Sequence, residues 1–340
     1  MQRQNVARGK RVRSRSVTIS SVVSPADTSP LVALPVAFAN RQPKYRVLLI
    51  VLALFFIPLH NSHAEQGQTL QAHANPKTSS NDILYFGLLP YLSTTALIKT
   101  WRPFADLIEK TLHKKVIIKT APDFRLFIQR TAEGRYDLLM TAPHFAALAV
   151  KTHGYRMIAG HNNDLTGDIV VAKNAVFQSI NDLRGKTLAT PDPLAAVSIL
   201  AELTLKQHGL TPNKDIRIKT TASHNTALVD VAEGRAAAAV AVGGLYRRLN
   251  ASNKFGQLRK LATTGKIPHI MYIANPSFSE DDIRKLRNVL IDPAPGSPAA
   301  KVIRLLKKQF NGGDISIVSP QKLNRLAPLL SLLETKIKQE

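Results

Sequence analysis

The feature that most constrains the fold is an alternation of short apolar runs with longer amphipathic segments, from residue 83 to residue 337. The runs predict strands at Ile83–Leu89, Val116–Thr120, Asp137–Thr141, Arg156–Ala159, Ile169–Ala172, Ile216–Thr220, Ala237–Val242 and Ile270–Ala274. The segments with i, i+3, i+4 apolar spacing predict helices at 95–112, 124–133, 144–153, 194–208, 225–233, 279–290, 298–309 and 321–337. Such alternation is typical of an α/β fold built from layers of helix and sheet.

A short sequence recurs about one hundred residues apart. Ala-Glu-Gly-Arg occupies 132–135 and again 232–235, and an apolar run follows each copy. In both copies a predicted helix ends at a glycine suited to the left-handed position after the C-cap. The recurrence predicts two similarly built lobes, and the chain is long enough for two domains of about 130 residues each.

The N-terminal region, residues 1–64, holds nine Lys or Arg and a single acid. Val47–Leu59 is an uncharged stretch of 13 residues, shorter than the ~20 residues that a comfortable membrane span needs. Ser62 and Ala64 supply the small residues of a cleavage site. We therefore predict an N-terminal extension and signal peptide at 1–64, a polar linker at 65–81 and a periplasmic protein.

Two other interpretations of this region stay open. The first 20 residues are rich in Arg and Ser and contain no acid, as in an organellar transit peptide. Alternatively, the segment is never cut and anchors the protein in the membrane.

Several functional classes are excluded by what the sequence lacks. There is no cysteine, which rules out disulfides, thiolate metal sites and Cys nucleophiles. No G-x-S-x-G, Walker A, H-E-x-x-H or G-x-G-x-x-G motif is present. We therefore expect no enzyme, no metal and no cofactor. The net charge of +23 suits an anionic partner, but only 6% of residues are aromatic and the bases are dispersed, which argues against nucleic acid.

The segment Ala189–Ser198 leaves a short strand, passes two prolines and enters a predicted helix. A helix N-terminus has unpaired N–H groups and a partial positive charge, and can bind an anion. The small side chains of Ala195 and Ala196 would let a ligand approach the backbone closely. An ordinary helix start, with proline near the first turn, remains the alternative.

Two further strand-to-helix turns carry polar side chains. Thr141 and His144 follow a predicted strand at its carboxyl end, the usual ligand position in open α/β sheets. His224 begins another predicted helix directly after Ser223. Each histidine either donates a hydrogen bond to an anion or helps to cap its helix.

With these segments in order, residues 82–330 resemble the periplasmic phosphonate-, phosphite- and phosphate-binding proteins of ABC importers, members of the type II solute-binding superfamily. The similarity depends on a collinear set of landmarks: Tyr85–Pro90, Trp101–Phe104, Ala121–Phe124, Tyr136–Asp137, Thr141–Phe145, Asp182–Lys186, Asp192–Pro193 and Ser223–His224. The set is specific because its members occur in the family's order.

The resemblance implies a two-lobe type II periplasmic-binding-protein fold, whose α/β lobes are joined by two crossovers and close on a ligand. It implies a first lobe of 82–168 plus 275–340 and a second lobe of 169–274. The implied function is that of an extracytoplasmic solute-binding protein of an ABC importer. Its partners would be a small phosphonate-, phosphite- or phosphate-like anion and the transporter permease, and we expect a monomer. The expected cleft residues are Tyr91, Phe124, Thr141, His144, Ala195, Ala196 and His224.

The expected ligand segment departs from the family pattern. The family's Asp-Pro-x-Ser-Thr signature, whose hydroxyls and amides hold the phosphonyl oxygens, here has alanine at 195 and 196, and the tyrosine after Ala-Pro-Asp is Phe124. Each lost hydrogen bond is worth on the order of 1 kcal/mol, so three uncompensated losses would weaken binding ~100-fold. A non-phosphorus organic acid therefore stays open as the ligand, as does a membrane-tethered sensory protein of this fold.

Overall fold

The computed structural model describes residues 83–252 and 257–339, so the predicted signal peptide and linker lie outside the described residues. Its strands are β1 Ile83–Leu88, β2 Lys115–Lys119, β3 Leu138–Thr141, β4 Arg156–His161, β5 Asp164–Leu165, β6 Gly167–Ala172, β7 Thr187–Thr190, β8 Arg217–Thr220, β9 Ala238–Val242, β10 Leu258–Thr263, β11 Ile267–Pro268, β12 Met271–Ala274 and β13 Ile315–Ser316. Its helices are α1 Thr94–Leu112, α2 Phe124–Ala132, α3 Pro143–His153, α4 Ala196–Gln207, α5 His224–Ala232, α6 Leu245–Ala251, α7 Glu280–Ile291, α8 Pro298–Gln309, α9 Pro320–Asn324 and α10 Ala327–Lys338. Within these ranges no helix is long and apolar enough to cross a membrane.

The first sheet contains six strands in the order β13-β4-β12-β3-β1-β2. Strand β1 pairs in parallel with β2 and β3, and β12 lies antiparallel between β3 and β4. Its central strands are buried because their side chains are apolar on both faces, as at Phe86 and Leu139. The α/β class predicted from the alternation is confirmed.

The second sheet has five strands in the order β10-β6-β9-β7-β8, with β7 parallel to β8 and β9. Its arrangement repeats that of the first sheet. In each sheet one strand, β1 or β7, lies between the next two strands of the chain and parallel to both. An antiparallel strand, β12 or β6, then pairs with the second of these two. Strand β7 is the short strand expected before Pro191. Strand β10 is absent from the strands predicted above, because it mixes bases with apolar residues and gives no clear period.

The repeated Ala-Glu-Gly-Arg sequence forms the same unit in both halves. Helices α2 and α5 end at Ala132 and Ala232, and β3 and β9 begin at 138 and 238. Between them, Gly134 and Gly234 have φ angles of 67° and 73°, in the left-handed region that glycine adopts without strain. The predicted pair of helix–glycine–strand units is confirmed.

The two sheets are connected by two crossovers that pair with each other. Strands β5 and β11 form a small antiparallel ribbon, in which Ile267 lies opposite Leu165. One predicted boundary is wrong, because Met271–Ala274, expected in the second lobe, pairs with β3 and β4 of the first sheet. Its apolar residues would suit a buried position in either sheet, so the sequence pattern could not assign it.

The core of the first sheet includes an aromatic cluster around the only tryptophan. Trp101 is fully buried and packs edge-on against Phe86, Phe104 and Tyr272, as its place on an apolar helical face predicts. The predicted C-terminal helix 321–337 is instead two helices, α9 and α10. Pro328 explains the break, because it has no N–H and its ring clashes with the preceding turn.

Candidate functional site

A cavity of about 330 Å³ lies where the carboxyl ends of parallel strands from both sheets meet. The turns after β1, β3, β7, β8 and β9 all contribute to its wall, together with the end of α8. Open α/β folds bind ligands at this edge because the loops there converge. The structure brings six of the seven predicted site residues to this cavity: Tyr91, Phe124, His144, Ala195, Ala196 and His224.

Thr141, the seventh predicted residue, does not line the cavity. It is 2% exposed and lies beside Ile128 and Thr131, under helices α2 and α3. Successive side chains of a strand point to opposite faces, and the residue that lines the cavity is its neighbour Ala142. The prediction that Thr141 lies at the end of a strand is therefore correct, but its side chain lies on the face of the sheet away from the cavity.

Two of the longer helices point uncapped N-termini at the cavity. Helices α3 and α4 begin after Ala142 and Ala195, which have no side-chain acceptor, whereas a serine or aspartate side chain accepts from the first turn of α1, α2, α5, α7 and α8. The first N–H groups of such helices have no helical partner and carry the positive end of the macrodipole. Both N-termini can therefore donate to a negatively charged group.

Of the two alanines expected to bring their backbone close to a ligand, Ala195 and Ala196, only Ala196 has a free N–H. The Ala195 N–H donates to the Asp192 carbonyl at 2.9 Å, and the Leu194 N–H donates to the Asp192 Oδ1 at 2.7 Å. This local turn uses the donor of Ala195. The donors in the first helical turn are instead those of Ala196 and Val197, and both residues line the cavity.

His144 connects the turns of the two sheets. Its Nε2 lies 2.8 Å from the Leu194 carbonyl oxygen, and because a carbonyl only accepts, Nε2 carries the proton. Its Nδ1 is buried without a hydrogen-bond partner. Burial lowers the pKa of His144 to about 4, although the bond to Leu194 acts in the opposite direction. The imidazole is therefore neutral, with Nδ1 available only as an acceptor.

Two more histidines line the cavity. His224, at the first position of α5, has a buried Nδ1 without a partner, and burial lowers its pKa to about 4. The Nδ1 of His269 accepts the Ile270 N–H at 2.9 Å. Burial, and next the nearby His161, lower the pKa of His269 to about 4 as well. These neutral rings can donate or accept hydrogen bonds without adding a charge.

The charged groups at the cavity have one sign. Among the described residues that line it, Arg248 on α6 is the only Lys or Arg, and none is Asp or Glu. Arg248 is exposed and so stands at the rim. Elsewhere in the described ranges, no group of three or more His, Asp or Glu is placed to hold a metal. The electrostatic environment thus favours an anion.

One wall of the cavity is aromatic and apolar. Phe124 and Phe145 meet edge to face at 5.6 Å, and Tyr91 and Phe310 lie 6.2 Å apart between ring centroids. The Tyr91 hydroxyl accepts the Trp101 Nε1–H at 3.2 Å and a Gln309 N–H at 3.3 Å. Burial raises the pKa of Tyr91, so it stays protonated and can still donate.

Among the lining residues that the sequence pattern did not predict are Arg248, His269, Gln309 and Phe310. Arg248 lies on α6, which follows β9 of the second sheet. His269 reaches the cavity through the second crossover, and Gln309 and Phe310 through the return of the C-terminal segment. Nothing in the spacing of His269 or Phe310 marks them as site residues.

Solved structures share this architecture. A binding protein component of an ABC phosphonate transporter from Pseudomonas aeruginosa has a TM-score of 0.62 and 18% identity, covering 75% of this chain and 87% of that one. PhnD1 from Prochlorococcus marinus, in complex with methylphosphonate, has a TM-score of 0.64 and 15% identity, covering 76% and 99%. The periplasmic aliphatic sulphonate binding protein of Escherichia coli has a TM-score of 0.53 and 15% identity, covering 76% and 94%. At these identities the likeness shows the type II fold, which confirms the predicted fold class.

The family is shown by the sequence itself. Residues 86–313, about two thirds of the chain, match the family described as ABC transporter, phosphonate, periplasmic substrate-binding protein. This family works in transport, and membership implies a periplasmic location, a small ligand and a permease partner. As the landmarks predicted, the chain belongs to the phosphonate family of periplasmic substrate-binding proteins of ABC transporters.

Proposed function

We propose that this protein captures a small oxyanion of the phosphonate type in the cavity between its two sheets and delivers it to the permease of an ABC importer. The observation that carries the proposal is the meeting of two uncapped helix N-termini, those of α3 and α4, at one cavity without acidic lining residues. An anion bound there would accept hydrogen bonds from the free N–H groups of both helices.

The residues that line the cavity also indicate which substituent the ligand carries beside its anionic group. The family's hydroxyl pair is replaced by Ala195 and Ala196, so the oxyanion would depend on backbone amides and on the neutral histidines. The wall formed by Phe124, Phe145 and Phe310 would cover an apolar substituent, and each buried methylene contributes about 0.8 kcal/mol. An alkylphosphonate satisfies both parts of the cavity.

Capture would work by closure of the lobes rather than by bond chemistry. The two crossovers pair as the ribbon of β5 and β11, so a bend there would move one lobe relative to the other. Paired connections of this kind allow hinge motion around a bound ligand. No residue pair at the described cavity joins a nucleophile to a base, since its histidines bond to backbone groups or have an unpartnered Nδ1.

The proposal is tested by calorimetry and thermal shift on the purified chain with phosphate, phosphite, methyl- to butylphosphonate, alkanesulfonates and small carboxylates. We expect phosphonates to raise the melting temperature, because a ligand at 100 times its Kd adds about 2.7 kcal/mol of stability. Affinity should rise with alkyl length, by up to about fourfold per methylene. If only a carboxylate binds, the ligand is an organic acid and not a phosphonate. If no anion binds or raises the melting temperature, anion capture is refuted.

A matched pair of variants tests where the anion binds. Ala195→Asp places a carboxylate at the N-cap of α4, where it would satisfy the helix donors and repel an anion. We expect at least a tenfold loss of phosphonate affinity with a cooperative melt retained. Ser297→Asp makes the same kind of change at the remote N-cap of α8 and should bind normally. Equal affinity in the two variants would contradict the α4 site.

A further inference from the structure

We propose that His144 makes the site selective for oxyanions that keep one proton, such as a phosphonate monoanion with its P–OH group, over fully ionised sulfonates. The inference depends on the proposed function and names the protonation state of the ligand. It assigns to His144 the part of a hydrogen-bond acceptor, although the rest of the cavity consists mainly of donors and apolar groups.

The acceptor role follows from the bond on the far side of the ring. His144 is fully buried, and its Nε2 donates to the Leu194 carbonyl. A neutral imidazole with its proton on one nitrogen has a bare lone pair on the other. That Nδ1 has no partner in the described protein, and a ligand that satisfies such a buried acceptor gains roughly five- to 100-fold in affinity over one that does not. A ligand is therefore favoured if it brings an O–H or N–H.

The surroundings keep the ring from becoming a donor. Phe145 packs against it at 4.2 Å between centroids, and the titratable or charged groups that share the cavity are His224, His269, Arg248 and the Tyr91 hydroxyl. Asp192, on the turn that carries Leu194, already accepts the Leu194 N–H. Burial lowers the pKa of His144 to about 4, so at neutral pH the imidazolium form is rare.

The position of the ring ties this acceptor to the anionic group itself. Leu194, whose carbonyl holds His144, lies two residues before Ala196, the first donor of α4. We therefore assign the hydrogen that reaches Nδ1 to the oxyanion or to an atom next to it. A phosphonate monoanion has one P–OH, whereas a sulfonate of the same shape presents only acceptor oxygens, and one of them would face the lone pair.

The test compares methylphosphonate with methanesulfonate, which have the same shape and differ in this proton. We expect the native protein to prefer methylphosphonate by roughly tenfold or more. His144→Gln retains an N–H that can reach the Leu194 carbonyl but removes the acceptor at the Nδ1 position, so it should reduce this preference severalfold. His153→Gln makes the same substitution at the exposed end of α3 and should leave the preference unchanged.

Nitrogen NMR of the imidazoles gives a second measurement that does not depend on the variants folding. We expect His144 to be the neutral Nε2–H form before and after methylphosphonate binds, with only Nδ1 shifting. Equal affinity for both probes, or an Nδ1–H on His144 in the complex, would overturn the acceptor role while leaving anion capture intact. Failure of both probes and of every other anion to bind would instead refute the proposed function.

Discussion

At the scale of single residues, Asp230 is a buried carboxylate with two cationic partners. Its side chain is 5% exposed and lies 2.7 Å from both Lys219 Nζ and Arg235 Nε. Burial by itself would raise the pKa of Asp230, but the hydrogen bonds and charges of these partners outweigh it, and the pKa is lowered. Arg235 is the arginine of the second Ala-Glu-Gly-Arg copy. Its ion pair with Asp230 therefore also holds the segment after α5 against that helix.

We predict that Asp230→Asn lowers the free energy of unfolding by about 1–3 kcal/mol at pH 7, because two cations lose their partner. A lowered carboxylate pKa adds stability above the unfolded value of about 3.9, and this is lost as the pH falls through the folded pKa. Urea unfolding at pH 7 and pH 3.5 should therefore show the difference shrinking in acid. The exposed Asp106→Asn serves as control and should change stability by less than about 0.5 kcal/mol.

At the residue scale, sequence motifs placed some of the predicted site residues correctly and others wrongly. Strand-to-helix turns led to His144, Ala196 and His224, because the carboxyl ends of parallel strands meet at one edge whatever the rest of the fold does. The same reasoning misplaced Thr141, since a shift of one residue in a strand reverses the face. The engaged amide of Ala195 depends on a local turn with Asp192 that spacing alone does not reveal.

At the scale of elements, the two glycines after α2 and α5 give a matched experiment. We predict that Gly134→Ala and Gly234→Ala each cost about 1–2 kcal/mol, because an L-residue in the left-handed region is strained. A Cβ at Gly234 would meet nothing within 4 Å, and at Gly134 its nearest neighbour is the Asn275 amide nitrogen at 3.5 Å. The loss would therefore come from the backbone in both cases.

Denaturant unfolding of both variants checks this prediction. Gly265→Ala is the control, since its φ lies outside the left-handed region and a Cβ there would be 3.9 Å from Leu200 Cδ2. Gly265→Ala should be neutral or slightly stabilising because it restricts the unfolded chain. If Gly134→Ala and Gly265→Ala behaved alike, backbone strain would not be what fixes glycine in the repeated unit.

Most longer elements follow from local chemistry, and the exceptions share a cause. Helices α1, α2, α5, α7 and α8 begin at Ser or Asp caps, which a sequence can reveal. Strand β12 was recognised, but its sheet was not, because an apolar run carries no information about its partner. Pro328 in the sequence indicates the break between α9 and α10. The apolar spacing nevertheless led to the prediction of one continuous helix at 321–337.

At the scale of the whole molecule, buried histidines predict acid sensitivity. Burial lowers the pKa to about 4 at His144, His161, His224 and His269, against about 6.5 in an unfolded chain. Between these values the unfolded state binds more protons, so stability must fall as the pH decreases from about 7 towards 4. At pH 5.5 the expected loss is on the order of 1 kcal/mol for each histidine.

Unfolding midpoints at pH 7.5, 6.5 and 5.5 measure this loss. His144→Gln should reduce the slope by the contribution of one histidine, whereas His153→Gln, at an exposed position, should not reduce it. A stability that stays level between pH 7.5 and 5.5 would mean that the four rings are charged or accessible in the folded protein.

The sequence by itself determined the α/β class, the two similar halves, the family and the turns that approach the ligand. These properties depend on short-range patterns, namely apolar period, helix ends and a conformational requirement at glycine, which act within about ten residues. Only the tertiary structure decided which sheet takes β12, which face Thr141 occupies and that His269 and Phe310 complete the cavity. Those outcomes depend on how separate segments of the chain pack together, and no local pattern encodes those packing energies.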